Sequence, residues 1–323
     1  MFEIYWPDKF CREFVEARGH SCDLTALMAV VSGHKPCVDV WVKPTDLRPF
    51  MKAVRHYGLV AQEDIVFSMA SRRDVPDDIV GKNRLTSTIA YGSLPGNQVE
   101  GKLHVFVART QAALTKAFAS GWYPVIIGKR VVRSPLADGL RLGEALGYPD
   151  CCCEFFRKNN NWQKSNFLYE ILKNTAKGKS HFLCNPLARN ETYSYIAHMP
   201  CSYNCAATRK NAASFREFLM AEEPVFVEKI DRVLRLPYLV FYERMIYAFD
   251  GQMVSGGISY KSFYFLGLNN DFNPYADRLS RANELRMEGN NVILLKDGKK
   301  RDILKYDSLK VPPEIPFIMQ FSN

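Results

Sequence analysis

Three consecutive cysteines, Cys151, Cys152 and Cys153, and a second pair four residues apart, Cys201 and Cys205, are the residues of this 323-residue chain best suited to chemistry. Thiolate sulfur is a nucleophile and a soft metal ligand, and the positive end of a helix favours it over the thiol. Asp150 stands directly before the first group, where a helix cap would be, and Pro200 stands directly before the second. From Cys201 onward, Cys205, Thr208, Ala212, Phe215 and Leu219 recur at steps of three or four, which predicts one helical face with the two thiols a turn apart. Free cysteines often pack as small hydrophobes. Three adjacent residues cannot all face one core, however, and their coincidence with a second pair points to a metal.

The spacing also bears on which metal. Adjacent Cys-Cys and Cys-x-x-x-Cys pairs lack the Cys-x-x-Cys knuckle common in structural zinc sites, whereas iron–sulfur clusters accept more varied thiolate spacing. An iron–sulfur cluster of the 4Fe-4S type is therefore expected ahead of zinc, and redox dithiol chemistry comes third. Thr208 stands where a third cysteine would complete the Cys-x-x-x-Cys-x-x-Cys signature of radical S-adenosylmethionine enzymes, which argues against that mechanism. His198, three residues before Cys201, is a candidate catalytic acid or base, or a residue that orients a ligand, with a purely structural histidine as the alternative. Arg141, Lys158, Arg189 and Arg209 are candidates to hold an anionic substrate, against the default of solvated surface, and Tyr148 either contacts a ligand or packs against its turn. Cys184 reads as a packed thiol, with a fifth ligand as its alternative. His20, Cys22, His34 and Cys37 could form a separate zinc site, although their spacing fits no familiar pattern.

The strings Leu146-Gly147-Tyr148-Pro149-Asp150-Cys151-Cys152 and His198-Met199-Pro200-Cys201-Ser202-Tyr203-Asn204-Cys205 resemble a prokaryotic family of unknown function, with the pattern Gly-Tyr-Pro-x-Cys-Cys and His-x-Pro-Cys-Ser-x-x-Cys. The resemblance covers about residues 104–215. It implies that Cys151, Cys152, Cys201 and Cys205 are the four metal-binding thiols, and it leaves Cys153 as a spare at a position where the family has an apolar residue. No reaction is carried over with it.

Elements must bring these residues together, and the chain reads as α+β. In the N-terminal region, 1–100, Leu24–Val31 between Ser21 and Gly33 predicts a short capped helix. Val38–Val42 and Leu59–Met69 predict strands, Thr45 and Asp46 predict the start of a helix through His56, and residues 71–101 read as a long loop. In the middle region, 101–223, the strand His104–Ala108, helix Thr110–Ala119 and strand Tyr123–Ile127 predict a βαβ unit with parallel pairing, followed by a helix over Leu136–Leu146 closed by Gly147. This region then carries the helical cysteine segment. The C-terminal region, 224–323, reads as antiparallel and β-rich: residues 238–265 hold nine aromatics, with turns at Phe249-Asp250-Gly251 and Ser255-Gly256-Gly257. A hairpin about Lys296-Asp297-Gly298 follows.

The bulk numbers bound the function. A chain that is 47% hydrophobic and 24% charged has globular composition, and no apolar run reaches the roughly 20 residues a membrane helix needs. The start, Met-Phe-Glu-Ile-Tyr-Trp-Pro-Asp, lacks the basic and apolar regions of a signal peptide, and nine cysteines are an odd count, so a soluble, reduced, cytoplasmic protein is expected. Residues 120–210 hold thirteen Lys or Arg against six Asp or Glu, most of the net +9, and so the cysteine region is the basic one. Two function classes follow. One is an iron–sulfur enzyme, of a lyase or sulfur-transfer type, acting on an anionic small molecule through an open iron as Lewis acid or through carried sulfur. The other is an RNA-binding protein with structural zinc. A redox module is the third reading.

Overall fold

The computed structural model describes residues 5–18, 24–69, 90–93, 102–121, 125–127, 130–133, 139–159, 166–176, 179–189, 192–243, 245–266, 273–306 and 314–323. The fold is α+β, with all named strand pairings antiparallel. The chain divides into two compact units, one of Pro7–Asn160 and one of Asn161–Asn323 with Met1–Trp6. The sequence suggested divisions near 100 and 223. The strand beginning at Lys102 lies inside the first unit's sheet, and only Glu223 separates two successive helices of the second.

In the first unit, β1 (Cys37–Val42), β2 (Val60–Met69), β3 (Ala90–Ser93) and β4 (Lys102–Ala108) form a four-stranded sheet in the order β1-β4-β2-β3. Helices α1 (Arg12–Arg18), α2 (Leu24–Val31) and α3 (Leu47–His56) precede or interleave with these strands. Helix α2, apolar but for Thr25, is buried from Leu24 to Val30, and Gly33, at φ +87°, turns the chain after it. Helix α4 (Gln111–Ser120) starts on Thr110, whose side chain accepts a bond from the Ala113 N–H at 3.2 Å. It buries Leu114 and Ala117 against Cys37, Phe106 and Ala108 of the sheet.

Two expectations are corrected here. The order strand, helix, strand does occur at β4, α4 and β5 (Val125–Ile127), but among the described residues these three do not form a βαβ unit. β4 is sandwiched between antiparallel β1 and β2, and β5 pairs antiparallel with β6 (Arg130–Arg133) in a separate two-stranded sheet. The local pattern of apolar runs reveals strands and helices without revealing which strand is the partner. The long loop expected over 71–101 contains a strand: β3 pairs with the end of β2, while 70–89 and 94–101 lie outside the described residues.

In the second unit, β7 (Pro237–Tyr242), β8 (Met245–Val254), β9 (Gly257–Phe265), β10 (Glu284–Glu288), β11 (Asn291–Lys296) and β12 (Lys299–Leu304) run as a meander, and β13 (Phe317–Gln320) returns beside β7. The aromatic stretch is core, with Phe241, Tyr247, Phe249 and Tyr260 packed with Leu285, Leu294 and Leu304. Phe249-Asp250-Gly251 is not a turn but the middle of β8, where the register shifts. A Cβ on Gly251 would come within 2.1 Å of the Ser259 carbonyl oxygen, so this glycine permits close strand approach rather than chain reversal. The reversal falls at Ser255-Gly256, and the expected last hairpin is present, with Asp297 and Gly298 at φ +51° and +73°. Helices α7 (Phe167–Lys173), α8 (Ala206–Glu222), α9 (Pro224–Leu234) and α10 (Ala276–Ser280) complete this unit. No helix among the described residues is long and apolar enough to cross a membrane.

Candidate metal centre

The first cysteine group is delivered by a tightly built turn. Helix α5 (Gly139–Ala145) ends with Gly147 at φ +73°, where the N–H groups of Gly147 and Tyr148 donate back to the carbonyls of Glu144 (3.0 Å) and Gly143 (2.9 Å). A Cβ on Gly147 would lie 2.6 Å from Pro36 Cδ, so the Cβ-less residue is required twice over, by its φ and by its neighbour. The Lys35 ammonium donates to the Leu146 carbonyl and sits 4.4 Å above the Tyr148 ring. A cation at the end of a helix offsets its unpaired carbonyls, and the ring adds a cation–π contact. Burial pushes the Lys35 pKa down to about 8, while the Asp39 carboxylate pulls it back up.

Pro149 then opens helix α6 (Asp150–Asn159): its carbonyl accepts from the N–H groups of Cys152 (2.9 Å) and Cys153 (3.0 Å). Asp150 is the first helical residue rather than a residue before the helix. Cys151 is exposed and Cys152 is buried, with their sulfurs 3.9 Å apart. Cys153 turns the other way. Its thiol donates to the Tyr148 carbonyl at 3.8 Å and fills the space above Gly143, where a Cβ would come within 2.5 Å of it. Burial, with Asp150 next, raises its pKa to about 11, so it is a neutral thiol at neutral pH.

Cys201 and Cys205 are held by a loop rather than by one helix, which corrects the expectation of two thiols on a helical face. Cys205 is the residue before α8, with non-helical backbone, and Cys201 lies in the turn before it. Thr208, Ala212, Phe215 and Leu219 do form the buried face of α8, so the periodicity is right from Thr208 onward. Tyr203, fully buried, anchors the turn: its hydroxyl donates to the Leu168 carbonyl (3.1 Å), and its N–H donates to Thr175 Oγ1 (2.9 Å). Asn174 Nδ2 donates to the Cys201 carbonyl at 2.8 Å, and the Cys205 N–H donates to the Ser202 carbonyl at 3.1 Å.

Cys151, Cys152, Cys201 and Cys205 come together, with all four sulfurs within 4.8 Å of one another. This is the only group of three or more Cys, His, Asp or Glu suited to a metal among the described residues. His198 is buried beside it in sequence, and its Nε2 is 3.0 Å from Thr208 Oγ1, a bond that ties the approaching loop to α8. Arg209 is exposed and donates to Asn204 Oδ1 at 3.0 Å. Lys158 is exposed on α6, 3.9 Å from Glu154; Arg141 is exposed on α5; Arg189 is half-buried after the short 3-10 turn Phe182–Cys184. Tyr148 packs under Lys35.

Cys184 is fully buried and donates to the Cys205 carbonyl at 3.5 Å, and burial pushes its thiol up to about 12. Of the other suggested zinc site, His20 and Cys22 lie outside the described residues. The His34 ring is 2.9 Å from Ser32 Oγ, and Cys37 is a core thiol pushed up to about 12 by burial and then by Asp39. Spacing could not reveal Lys35, Pro36, Asn174 or Tyr203. They act through space on a turn whose own motif gives no sign of them.

Fold and site together define an α+β protein with a four-thiol group able to hold a metal ion. Compared with protein families, with curated proteins and with solved structures, the chain matches none.

Proposed function

We propose that this chain is a metalloprotein in which Cys151, Cys152, Cys201 and Cys205 bind one tetrahedral ion, zinc, in a structural role. The observation that carries this reading is the mutual sulfur separation of no more than 4.8 Å. With Zn–S bonds of about 2.3 Å, the sulfurs of a tetrahedral site lie about 3.8 Å apart. The thiolates of a four-iron cluster each cap a different iron and so spread to about 6 Å. Separations of this size are nearer the spacing around one ion than that around a cluster, which supports the zinc reading. Four thiolates also close the coordination sphere, which is the pattern of a structural rather than a catalytic zinc.

Of the partners the sequence allowed, a polyanion such as RNA accords with this reading, because a closed site offers no position to a small substrate and the net charge of +9 still calls for a counterpart. The iron–sulfur enzyme is the competing reading. Metal and sulfide analysis of the purified, anaerobically handled protein separates the two. One zinc per chain, no inorganic sulfide and no visible colour is the expected result. Iron with stoichiometric sulfide and visible absorption would sink the zinc reading and restore the cluster.

A further inference from the structure

The sequence places Lys296, Lys299, Lys300, Arg301 and Lys305 within ten residues at the end of the chain's last long hairpin, a basic run that the metal site does not explain. The fold puts part of it on β12, at one edge of the seven-stranded sheet. Edge strands are often charged simply to prevent pairing with another chain, and that accounts for charge along β12. It does not account for what surrounds the charge. Lys300, Arg301 and Lys305 line an open cavity of about 790 Å³ together with Tyr275, Tyr306, Arg278, Asp302 and Glu314.

The two kinds of arginine in this wall differ. Arg278 is held by the Asp302 carboxylate through two bonds, of 2.5 and 2.6 Å, and by the Ile303 carbonyl at 2.7 Å. That pair is internally neutral and fixes α10 to the strand. Lys300, Arg301 and Lys305 form no ion pair among the described residues, and all three are exposed. Against them the cavity offers only the buried Glu314, so its lining carries a surplus of positive charge suited to a dianion. The tyrosines add flat apolar faces of the type on which bases stack; Tyr275 packs at a tilt against Phe241, 5.0 Å between ring centroids, and the Arg278 guanidinium lies 5.8 Å from its ring.

We propose that this cavity is a binding site for a phosphorylated nucleoside, whose phosphate is held by Lys300, Arg301 and Lys305 and whose base lies against Tyr275 and Tyr306. Phosphate supplies the charge match and the base supplies the ring. The site is independent of the metal reading, since none of its residues belongs to the cysteine group. A free nucleotide and a nucleotide within an RNA strand share this chemistry.

The test is titration calorimetry of the full chain with adenosine monophosphate, adenosine, inorganic phosphate and a 5′-phosphorylated oligoadenylate. Adenosine monophosphate should saturate the site more tightly than adenosine or phosphate, and K300A/R301A should weaken it by at least about tenfold. Both positions are exposed, so the variant should keep the wild-type thermal transition. Oligoadenylate that competes with the mononucleotide and binds more tightly assigns the site to RNA; weaker oligomer binding assigns it to the free nucleotide. No saturable mononucleotide binding up to about 1 mM, equal binding by phosphate alone, or undiminished binding by the double variant overturns the proposal.

Discussion

Cys152 and Cys153 are neighbours on one helix and both are buried, yet only Cys152 has its sulfur in the four-thiol group. Their different surroundings make the contrast testable. Cys152→Ala and Cys205→Ala are each expected to lose bound metal, because three thiolates leave a site that must recruit water or another ligand. Cys153→Ala removes a neutral thiol packed on Gly143 and should keep stoichiometric metal at a cost of about 1 kcal/mol in stability. Metal analysis of the three variants checks the assignment, and equal loss in Cys153→Ala would overturn it. The four cysteines were legible as chemistry from their clustering in sequence. The direction of each sulfur was not, since consecutive residues on a helix point about 100° apart and the facing group is set by the fold. Cys184 shows the same limit: its sulfur lies next to Cys205 in space, but its position in the chain does not reveal that it is spent on a carbonyl.

At the scale of elements, the turn from α5 into α6 decides where Cys151 and Cys152 start. Gly147 is its most constrained residue, at φ +73° with Pro36 against the face where a Cβ would be. Gly147→Ala should therefore cost more than the usual helix-end glycine, about 2 kcal/mol, and should weaken metal binding through displaced thiols. Lys35→Met keeps the length of the side chain but drops the charge that meets the Leu146 carbonyl and the Tyr148 ring. It should lower metal affinity by less than Gly147→Ala does, measured by competition with a coloured chelator. An unchanged affinity in both variants would mean that the turn does not position the site. Gly147 as a helix stop was readable from the sequence, as were α2, α4 and the last hairpin, because each carries its own cap or turn residue. Strand partnership was not readable: β4 pairs with β1 and β2, both earlier in the chain, and nothing in the local pattern of 104–127 encodes that choice. The cysteine loop failed for a related reason, since Thr208-Ala212-Phe215-Leu219 sets a helical period that Cys205 and Cys201 happen to extend on paper, while the buried Tyr203 turns the chain before it.

For the molecule as a whole, two kinds of linkage bear on stability, one to protons and, on the zinc reading, one to metal. The Asp231 carboxylate is surrounded by Arg216 (2.6 Å), Arg235 (3.2 Å) and the Tyr195 hydroxyl (2.7 Å). Burial by itself would raise its pKa, but the bonds from Arg216 and Tyr195 and the charges of both arginines outweigh burial and hold it below the ordinary value. A lowered folded-state pKa means that this contribution is complete above the unfolded carboxyl range and is lost as pH falls through the folded value. Acid titration of the unfolding free energy should therefore show less loss below about pH 4 in Asp231→Asn than in wild type, with the variant about 2 kcal/mol less stable at neutral pH. The metal acts in the opposite experimental direction, by removal at constant pH. A zinc that binds only the thiols arranged by the fold adds its binding free energy to folding, about 4 kcal/mol when free zinc stands a thousandfold above its dissociation constant. Chelation at neutral pH is thus expected to lower the thermal midpoint of the wild-type chain by several degrees and added zinc to restore it. Cys152→Ala should already have the lower midpoint and should respond to neither. If the metal leaves on chelation and the wild-type midpoint does not move, the four thiols are not a structural site, and their exposed member, Cys151, becomes the place to look for reactivity instead.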